Sequence, residues 1–209
     1  RLGAATVIRT EDGRVHVATA RLECYEHPAG LPTVEHSSIK LDLYRRDFTI
    51  NAMAVHLNPE RFATLVDYFN CQNDLKERRI QVLHNLSFVE DPTRIFRAIR
   101  FEGRLDFTIT RHTEKLIKNA VQMNLFNRAT DPRFFHELKL ILSESTPTPA
   151  LRRMDGFRLF PFLWPDLWPN LKIDRRFLHF LTQAHGALSW FNLLYLQDRV
   201  EDWMVYLLA

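Results

Sequence analysis

The sequence predicts an α+β fold in which a sheet-forming part is followed by a part built from helices. Apolar residues alternate with polar ones early in the chain, as in strands with one buried face, whereas after Asp91-Pro92 they recur at helical spacing. The chain has 209 residues, of which 46% are hydrophobic, so it is long enough to bury a core. One large domain or two small ones fit this length.

Strand patterns dominate the first part. Ala4–Ile8 and Arg14–Ala20 are predicted strands, and the Glu11–Gly13 segment between them predicts a hairpin turn. His27–Ser38 contains two prolines and a glycine, which predict a loop. Phe48–Val55 alternates large apolar with small or polar residues and predicts a further strand of the sheet.

Helical patterns dominate the second part. The first part ends with a predicted polar turn region at Asp67–Ile80 and the apolar segment Ile80–Leu83. Asp91-Pro92 then supplies an acidic cap and a proline that begin the first helix of the second part. Further helices are predicted at Thr113–Met123, Asp131–Ser143 and Ala150–Arg158, and a final helical run is predicted at Ala187–Leu208. The four tryptophans of the second part are expected to pack in its core.

Composition narrows the class of protein. Cys24 and Cys71 lie far apart and form no CxxC motif, which argues against a disulfide framework or a zinc site and favours the reducing cytoplasm. No segment has the roughly 18 consecutive apolar residues of a membrane span, so no membrane association is expected. The net charge of +3 is compatible with a polyanionic partner, although it is ordinary for a protein without one.

Two long strings carry the most specific signal. Arg45–Ala54 has the sequence RRDFTINAMA, and Glu90–Phe101 has the sequence EDPTRIFRAIRF. Both resemble signature motifs of the class II CCA-adding enzymes and bacterial poly(A) polymerases, members of the polymerase β nucleotidyltransferase superfamily. The likeness continues at Val17–Glu23, Ser37–Lys40, Asp67 and Asp74-Leu75. It is strong over residues 1–145 and is greatest to bacterial A-adding or CCA-adding forms that carry extra CBS and DHH-type domains.

Asp91 and Arg94 offer a physical route to base selection. Their carboxylate and guanidinium groups can face a base edge that pairs an amino donor with a ring-nitrogen acceptor, which adenine and cytosine have. Guanine and uracil have a carbonyl and a ring N–H there, and such mismatches are costly when buried. Capping statistics alone favour Asp91 as a simple helix cap. The resemblance implies base recognition for both residues.

The arginines of the second string recur at steps of three residues. Arg94, Arg97 and Arg100 therefore share one face of a helix, which is usually a solvated face. Because the stripe begins at a helix N-terminus, where free N–H groups attract anions, a triphosphate or an RNA backbone is also a reasonable ligand. The resemblance implies that Arg97 and Arg100 hold the triphosphate.

The Arg45-Arg46-Asp47 triplet on its own would be interpreted as an exposed charge cluster before a buried strand. The resemblance instead implies that Arg46 binds the nucleotide and that Asp47 contacts its ribose. The predicted nucleotide-binding residues are thus Arg46, Asp47, Asp91, Arg94, Arg97 and Arg100.

The resemblance also implies catalysis by two Mg²⁺ ions on an Asp-x-Asp pair, which this sequence lacks, as it lacks the Gly-Gly motif of the family. The chain opens with Arg1 rather than Met, so both motifs are expected upstream of Arg1 in an N-terminally truncated chain that has no metal site and is inactive alone. Relatives commonly have an acid at the position of His16, which is expected to be a neutral surface histidine. Glu23 is expected to be a simple surface acid.

The implied architecture is a partial mixed nucleotidyltransferase sheet, the C-terminal part of a head domain, over residues 1–83. A helical neck for base recognition over 84–145 and the start of a helical RNA-binding body over 146–209 would follow. The implied reaction is template-independent attack of a tRNA 3′-hydroxyl on the α-phosphate of ATP, with CTP as a second candidate substrate, releasing pyrophosphate. Asp91 and Arg94 suit both, so A addition and CCA addition stay open. A poly(A) polymerase or a catalytically silent RNA-binding module are the alternatives.

Overall fold

The computed structural model describes residues 6–10, 13–30, 32–126, 132–163, 173–194 and 200–208. The chain divides into two compact units, Arg1–Asp91 and Pro92–Ala209. The division of the later residues into a neck and a body stays a prediction. No helix within the described ranges combines the length and the apolarity that crossing a bilayer requires.

A β-hairpin opens the first unit. Strand β1 (Thr6–Thr10) pairs antiparallel with β2 (Gly13–Val17), and Val7 lies opposite His16. The predicted hairpin is confirmed here, although its expected positions Ala4, Ala5, Glu11 and Asp12 lie outside the described residues.

A second hairpin follows that the sequence did not predict. Strand β3 (Arg21–Cys24) pairs antiparallel with β4 (Thr33–His36). The predicted loop His27–Ser38 is therefore wrong over β4. Val34 is the only apolar residue of that strand, and neither face is buried, so the alternation that marks a strand is absent.

The strand predicted at Phe48–Val55 is confirmed at Ala54–Val55 and is wrong over Thr49–Asn51. After helix α1 (Ile39–Tyr44), a 3₁₀ turn occupies Thr49–Asn51, and only Ala54–Val55 forms a strand, β5, which pairs with β6 (Leu65–Val66). Phe48 and Ala52 are four residues apart and both fully buried. This spacing serves one helical turn as well as it serves a strand, so the apolar pattern did not distinguish them.

Asp67 explains why a helix forms inside the predicted turn region. Its carboxylate accepts hydrogen bonds from the N–H groups of Phe69, Cys71 and Gln72 at 3.2, 2.8 and 3.0 Å, and helix α2 is Cys71–Lys76. Burial opposes ionisation, but these donors outweigh it and lower the pKa of Asp67 to about 2. Burial and the adjacent carboxylate raise the pKa of the Cys71 thiol to about 12.

A small core holds the first unit together. Leu43 of α1, Ala52 and Cys71 of α2 are its fully buried members. Partly buried apolar residues pack around them: Met53, Ala54, Val66, Phe69 and Leu83. The unit ends with β7 (Arg79–Ile80) and α3 (Ser87–Glu90).

The second unit is helical, as predicted. Its elements are α4 (Thr93–Leu105), β8 (Thr108–Ile109), α5 (Arg111–Gln122), α6 (Pro132–Leu142), α7 (Thr148–Gly156), α8 (Phe160–Leu163), α9 (Arg175–Leu193) and α10 (Asp202–Leu208). The helical run predicted at Ala187–Leu208 is helical at both ends but is not one continuous helix, because α9 ends at Leu193 and α10 begins at Asp202. Residues 195–199 lie outside the described ranges. Helix α9 begins earlier than predicted because the Asp174 carboxylate accepts from the Phe177 N–H.

Aromatic packing and one arginine hold the helices of this unit together. Phe96 of α4 packs edge-on against Phe134 of α6, with ring centroids 5.5 Å apart. Arg153 of α7 binds the carboxylates of Glu102 on α4 and Glu114 on α5. The prediction that the tryptophans pack in the core is wrong for Trp190, which is 62% exposed. Trp164 and Trp168 lie outside the described residues.

We expect the change Asp67→Ala to lower the free energy of unfolding by roughly 1–2 kcal/mol at neutral pH, because three backbone N–H groups lose their acceptor. Folding lowers the pKa of Asp67 from 3.8 to about 2, so its stabilisation is complete above the unfolded value and is lost as the pH falls through about 2. Urea unfolding at about pH 7, 5 and 3 should show the difference between wild type and variant narrowing in acid.

The exposed acid Glu60 provides the control, since Glu60→Ala should change stability by less than about 0.5 kcal/mol at every pH. A deficit in the Asp67 variant that stays constant down to pH about 3 would contradict this assignment of the pKa.

Candidate functional site

Asp42 organises the residues around the first signature string. Its carboxylate is buried, and Oδ2 accepts from the Arg21 N–H at 2.9 Å and from Arg45 Nη2 at 3.1 Å. Burial alone would raise the pKa of Asp42, but these hydrogen bonds and the neighbouring guanidinium groups hold that pKa below its ordinary value. Asp42 therefore stays charged and joins β3 to α1.

The two adjacent arginines have different surroundings. Arg45 donates to the Arg21 carbonyl at 3.1 Å and to Glu23 Oε1 at 2.9 Å, and its side chain is 19% exposed. Arg46 pairs with Asp42 at 3.6 Å, and its side chain is 43% exposed. Of the two guanidinium groups, that of Arg46 is thus the more accessible to a ligand. The prediction that Arg46 binds a nucleotide agrees with this exposure and stays a prediction.

Asp47 is buried beside the 3₁₀ turn. Its Oδ1 accepts from the Phe48 N–H at 2.8 Å and from Asn51 Nδ2 at 3.0 Å. The interpretation of the whole triplet as an exposed charge cluster is therefore wrong for Asp47. Two donors on one oxygen fix the rotation of the carboxyl group, and with it the position of Oδ2.

Asp91 lies at the end of the first unit, directly before α4. Its backbone is extended, with φ −138° and ψ 95°, and its N–H donates to the Ser87 carbonyl at 3.1 Å. The predicted cap is one residue off: Pro92 is the N-cap of α4, and its carbonyl accepts from the Ile95 N–H at 3.1 Å.

The arginine stripe on α4 is not a solvated face. Arg94 and Arg100 are buried, and only Arg97 is partly exposed. The guanidinium groups of Arg97 and Arg100 lie 5.5 and 4.9 Å from the ring of Phe101, within the range of cation–π attraction.

Glu137 of α6 is the carboxylate that meets this stripe, and the sequence did not single it out. Its Oε1 accepts from Arg97 Nη1 at 3.0 Å and its Oε2 from Arg100 Nε at 3.2 Å, although Glu137 itself is only 5% exposed. Glu137 thus bridges the two guanidinium groups with one carboxylate oxygen on each. The available signal was an acid at a core position of a helix, with Phe134 and Ile141 buried on the same face.

The structure agrees with the expectation for His16 but not with the expectation for Glu23. His16 is exposed, as expected. The expectation that Glu23 is a simple surface acid is wrong, because its side chain is 11% exposed and pairs with Arg21 and Arg45 at 3.1 and 2.9 Å. Strand β3 places it against α1, a contact that local sequence does not reveal.

The described residues do not offer a metal centre. They contain no group of three or more His, Cys, Asp or Glu side chains arranged to hold an ion.

Comparison with known proteins identifies the two units by sequence. The poly(A) polymerase head domain family matches residues 1–81, and a family described as the probable RNA and SrmB-binding site of polymerase A matches residues 106–171. Together the two matches cover more than half of the chain.

Relatives and solved structures agree with this assignment. The chain is 54% identical to an A-adding tRNA nucleotidyltransferase of Geobacter sulfurreducens, over all of this chain and 23% of that protein. It resembles the apo form of a CCA-adding enzyme, with a TM-score of 0.84 and 42% identity over 97% of this chain and 49% of the other. A tRNA nucleotidyltransferase complexed with a primer tRNA and an incoming ATP analogue matches with a TM-score of 0.80 and 38% identity, over 97% and 55% of the two chains.

We expect Glu137→Leu to lower the free energy of unfolding by about 3–5 kcal/mol, because the Arg100 side chain, which is 7% exposed, loses its carboxylate. Adding Arg100→Met removes the unpaired charge, so the double variant should recover most of the loss. Urea unfolding of the two single variants and of the double variant measures this coupling. Glu144→Leu serves as the control with no paired cation to lose. If the stability losses of the two single variants simply add in the double variant, Glu137 and Arg100 are not energetically coupled.

Proposed function

The chain belongs to the poly(A) polymerase and tRNA nucleotidyltransferase family, and we propose that it is the nucleotide-selecting part of an enzyme that adds AMP to the 3′ end of tRNA. The reaction is attack of the tRNA 3′-hydroxyl on the α-phosphate of ATP, which releases pyrophosphate without a nucleic-acid template. The carrying observation is the 54% identity to an A-adding tRNA nucleotidyltransferase along the whole chain. Because the chain spans about a quarter of that relative's length, the activity, the substrates and the partners are part of the proposal.

Asp91 and Arg94 select the base in this proposal. The extended backbone at Asp91 and the buried position of Arg94 on α4 provide a carboxylate and a desolvated guanidinium three residues apart in sequence. Desolvation strengthens both hydrogen bonds to a matching base edge and raises the penalty for a mismatched one. Adenine matches, whereas uracil and guanine place an acceptor against the carboxylate and a donor against the guanidinium.

Positive charge for the nucleotide phosphates comes from the remaining arginines. Arg46 and Arg97 have the more accessible guanidinium groups, whereas Arg100 is buried and adds charge from within α4. The clustering of Arg94, Arg97 and Arg100 along α4 supports a polyanionic ligand at this helix. Asp47 contacts the ribose.

Members of this family generally use divalent metal ions, and we propose Mg²⁺ as the ion that assists the phosphoryl chemistry. We propose that an Asp-x-Asp pair, which this sequence does not contain, would hold it. The free thiols of Cys24 and Cys71 support a cytoplasmic location.

CCA addition is the second candidate, because a CCA-adding enzyme matches the fold with a TM-score of 0.84. The same base edge occurs in cytosine, so Asp91 and Arg94 would serve CTP as well. Polyadenylation of other RNA tails differs in the acceptor and not in the nucleotide.

The gene product that carries these residues should therefore be supplied with Mg²⁺ and with tRNA transcripts that end either before CCA or after CC. Incorporation of AMP only, and only on the transcript ending in CC, is the expected result. Use of CTP on the shorter transcript would establish CCA addition, and long A tracts on unrelated RNA would establish a poly(A) polymerase. No incorporation on any RNA would contradict the proposal and favour a silent RNA-binding module.

Replacing Asp91 with Ala should reduce the preference for ATP over UTP and GTP by about 10–100-fold in kcat/KM, because the repulsion against a mismatched carbonyl disappears. Asp155→Ala, on α7, provides an acid-to-alanine control expected to leave the preference unchanged. An Asp91 variant that loses activity on all nucleotides equally would show that the carboxylate does not read the base.

A further inference from the structure

Asn51 contacts Arg46 and Asp47, two adjacent residues to which the proposed function assigns nucleotide binding. Its side-chain Nδ2 donates to Asp47 Oδ1 at 3.0 Å, and its backbone carbonyl accepts from Arg46 Nη1 at 3.1 Å. Asn51 is thus the residue through which the orientations of a carboxylate and a guanidinium are linked. The resemblance of the Arg45–Ala54 string to the family motif implies no role for Asn51.

The position of Asn51 is itself fixed by the surrounding structure. Its N–H donates to the carbonyl of the fully buried Phe48 at 3.0 Å. Thr49 donates from its N–H to the Gln81 carbonyl at 2.9 Å and from its hydroxyl to Asp74 Oδ2 at 2.8 Å. The 3₁₀ turn is therefore anchored on two sides, and functional side chains are held most accurately by anchored elements of this kind.

Asp42 completes the restraint on the guanidinium. It pairs with Arg46 at 3.6 Å from the side of α1, whereas the Asn51 carbonyl binds the same group from the turn. A long arginine side chain loses considerable rotamer freedom when it binds a ligand. Two acceptors that hold Arg46 beforehand reduce that loss, while 43% of its side chain stays exposed.

We propose that Asn51 is a positioning residue that sets the Asp47 carboxylate for the 2′-hydroxyl of the incoming nucleotide, an inference that rests on the proposed function. The Phe48 N–H and the Asn51 amide both donate to Oδ1, so the loss of the Asn51 donor loosens the restraint on the orientation of this carboxylate. A fixed, charged acceptor accepts one hydrogen bond from the ribose hydroxyl of ATP and none from a deoxyribose. Asn51 therefore contributes to the choice of ribonucleotides over deoxyribonucleotides without touching the substrate.

A purely structural role for Asn51 predicts something different. Weakening the turn would lower the fraction of active enzyme, which reduces kcat equally for ATP and for 2′-deoxy-ATP. The ratio of the two kcat/KM values is independent of the active fraction. This ratio therefore separates positioning from folding, even in variants that are less stable.

The test compares Asn51→Ala and Asn51→Asp with wild type in the gene product that carries this chain, using tRNA ending in CC and either ATP or 2′-deoxy-ATP. Both variants keep the backbone carbonyl on Arg46 but lose the Nδ2 donor, and Asn51→Asp also places a second carboxylate beside Asp47. We expect the preference for ATP over 2′-deoxy-ATP to fall by about tenfold in both, through a higher KM for ATP, with KM for 2′-deoxy-ATP little changed.

Asn58 provides the matched control. It is exposed in the same unit and makes no side-chain capping hydrogen bond, so Asn58→Asp adds the same charge without touching the turn. Its preference should equal that of wild type. Unchanged preference in both Asn51 variants, or a wild type that does not discriminate between the two nucleotides, would overturn the positioning role while leaving tRNA nucleotidyl transfer intact. A wild type that incorporates neither nucleotide would overturn the proposed function, and this inference with it.

Discussion

A charge that is buried must have a partner, and this constraint determines where the arginines of both units lie. In the first unit the buried Asp42 carboxylate holds Arg45 and the backbone of β3. In the second unit Glu137 holds Arg97 and Arg100. Removing a charge of this kind from water costs several kcal/mol unless an opposite charge and hydrogen bonds compensate. The pairs therefore fix helix against strand and helix against helix before any ligand is present.

The same constraint divides the arginines into two kinds. Arg45 and Arg100 are nearly enclosed by protein partners, so their charge mainly maintains the geometry of the unit. Arg46 and Arg97 share the same carboxylates but remain partly exposed. Each of these two guanidinium groups is therefore restrained by a carboxylate while part of its side chain stays accessible. Restraint of this kind lowers the entropy cost of binding an anion.

Short-range signals were sufficient for much of the fold. Helices α4 to α7 of the second unit could be predicted because apolar spacing and capping residues coincide, as at Thr110, whose hydroxyl caps α5. Strand β4 and the turn at Thr49–Asn51 could not, because one lacks an apolar face and the other has the same apolar pattern as a strand. The candidate site could likewise be predicted only in part. Its arginines were identified from the two signature strings, but Glu137 is 40 residues from Arg97 in sequence, and no local pattern predicts that contact.

A signature string also mixes residues of different kinds, and geometry is needed to separate them. Asp67 and Asp74 belong to the same resemblance as Asp47 and Asp91, yet Asp67 caps α2 and Asp74 binds the hydroxyl of Thr49. Replacing either acid would disturb the 3₁₀ turn or helix α2, and the turn is next to residues to which the proposed function assigns nucleotide binding. A loss of activity on replacing such a residue would therefore report on the stability of the surrounding turn and helix, and not on a contact with the substrate. A change in selectivity, as between ribose and deoxyribose, reports instead on the groups that face the substrate and on the residues that position them.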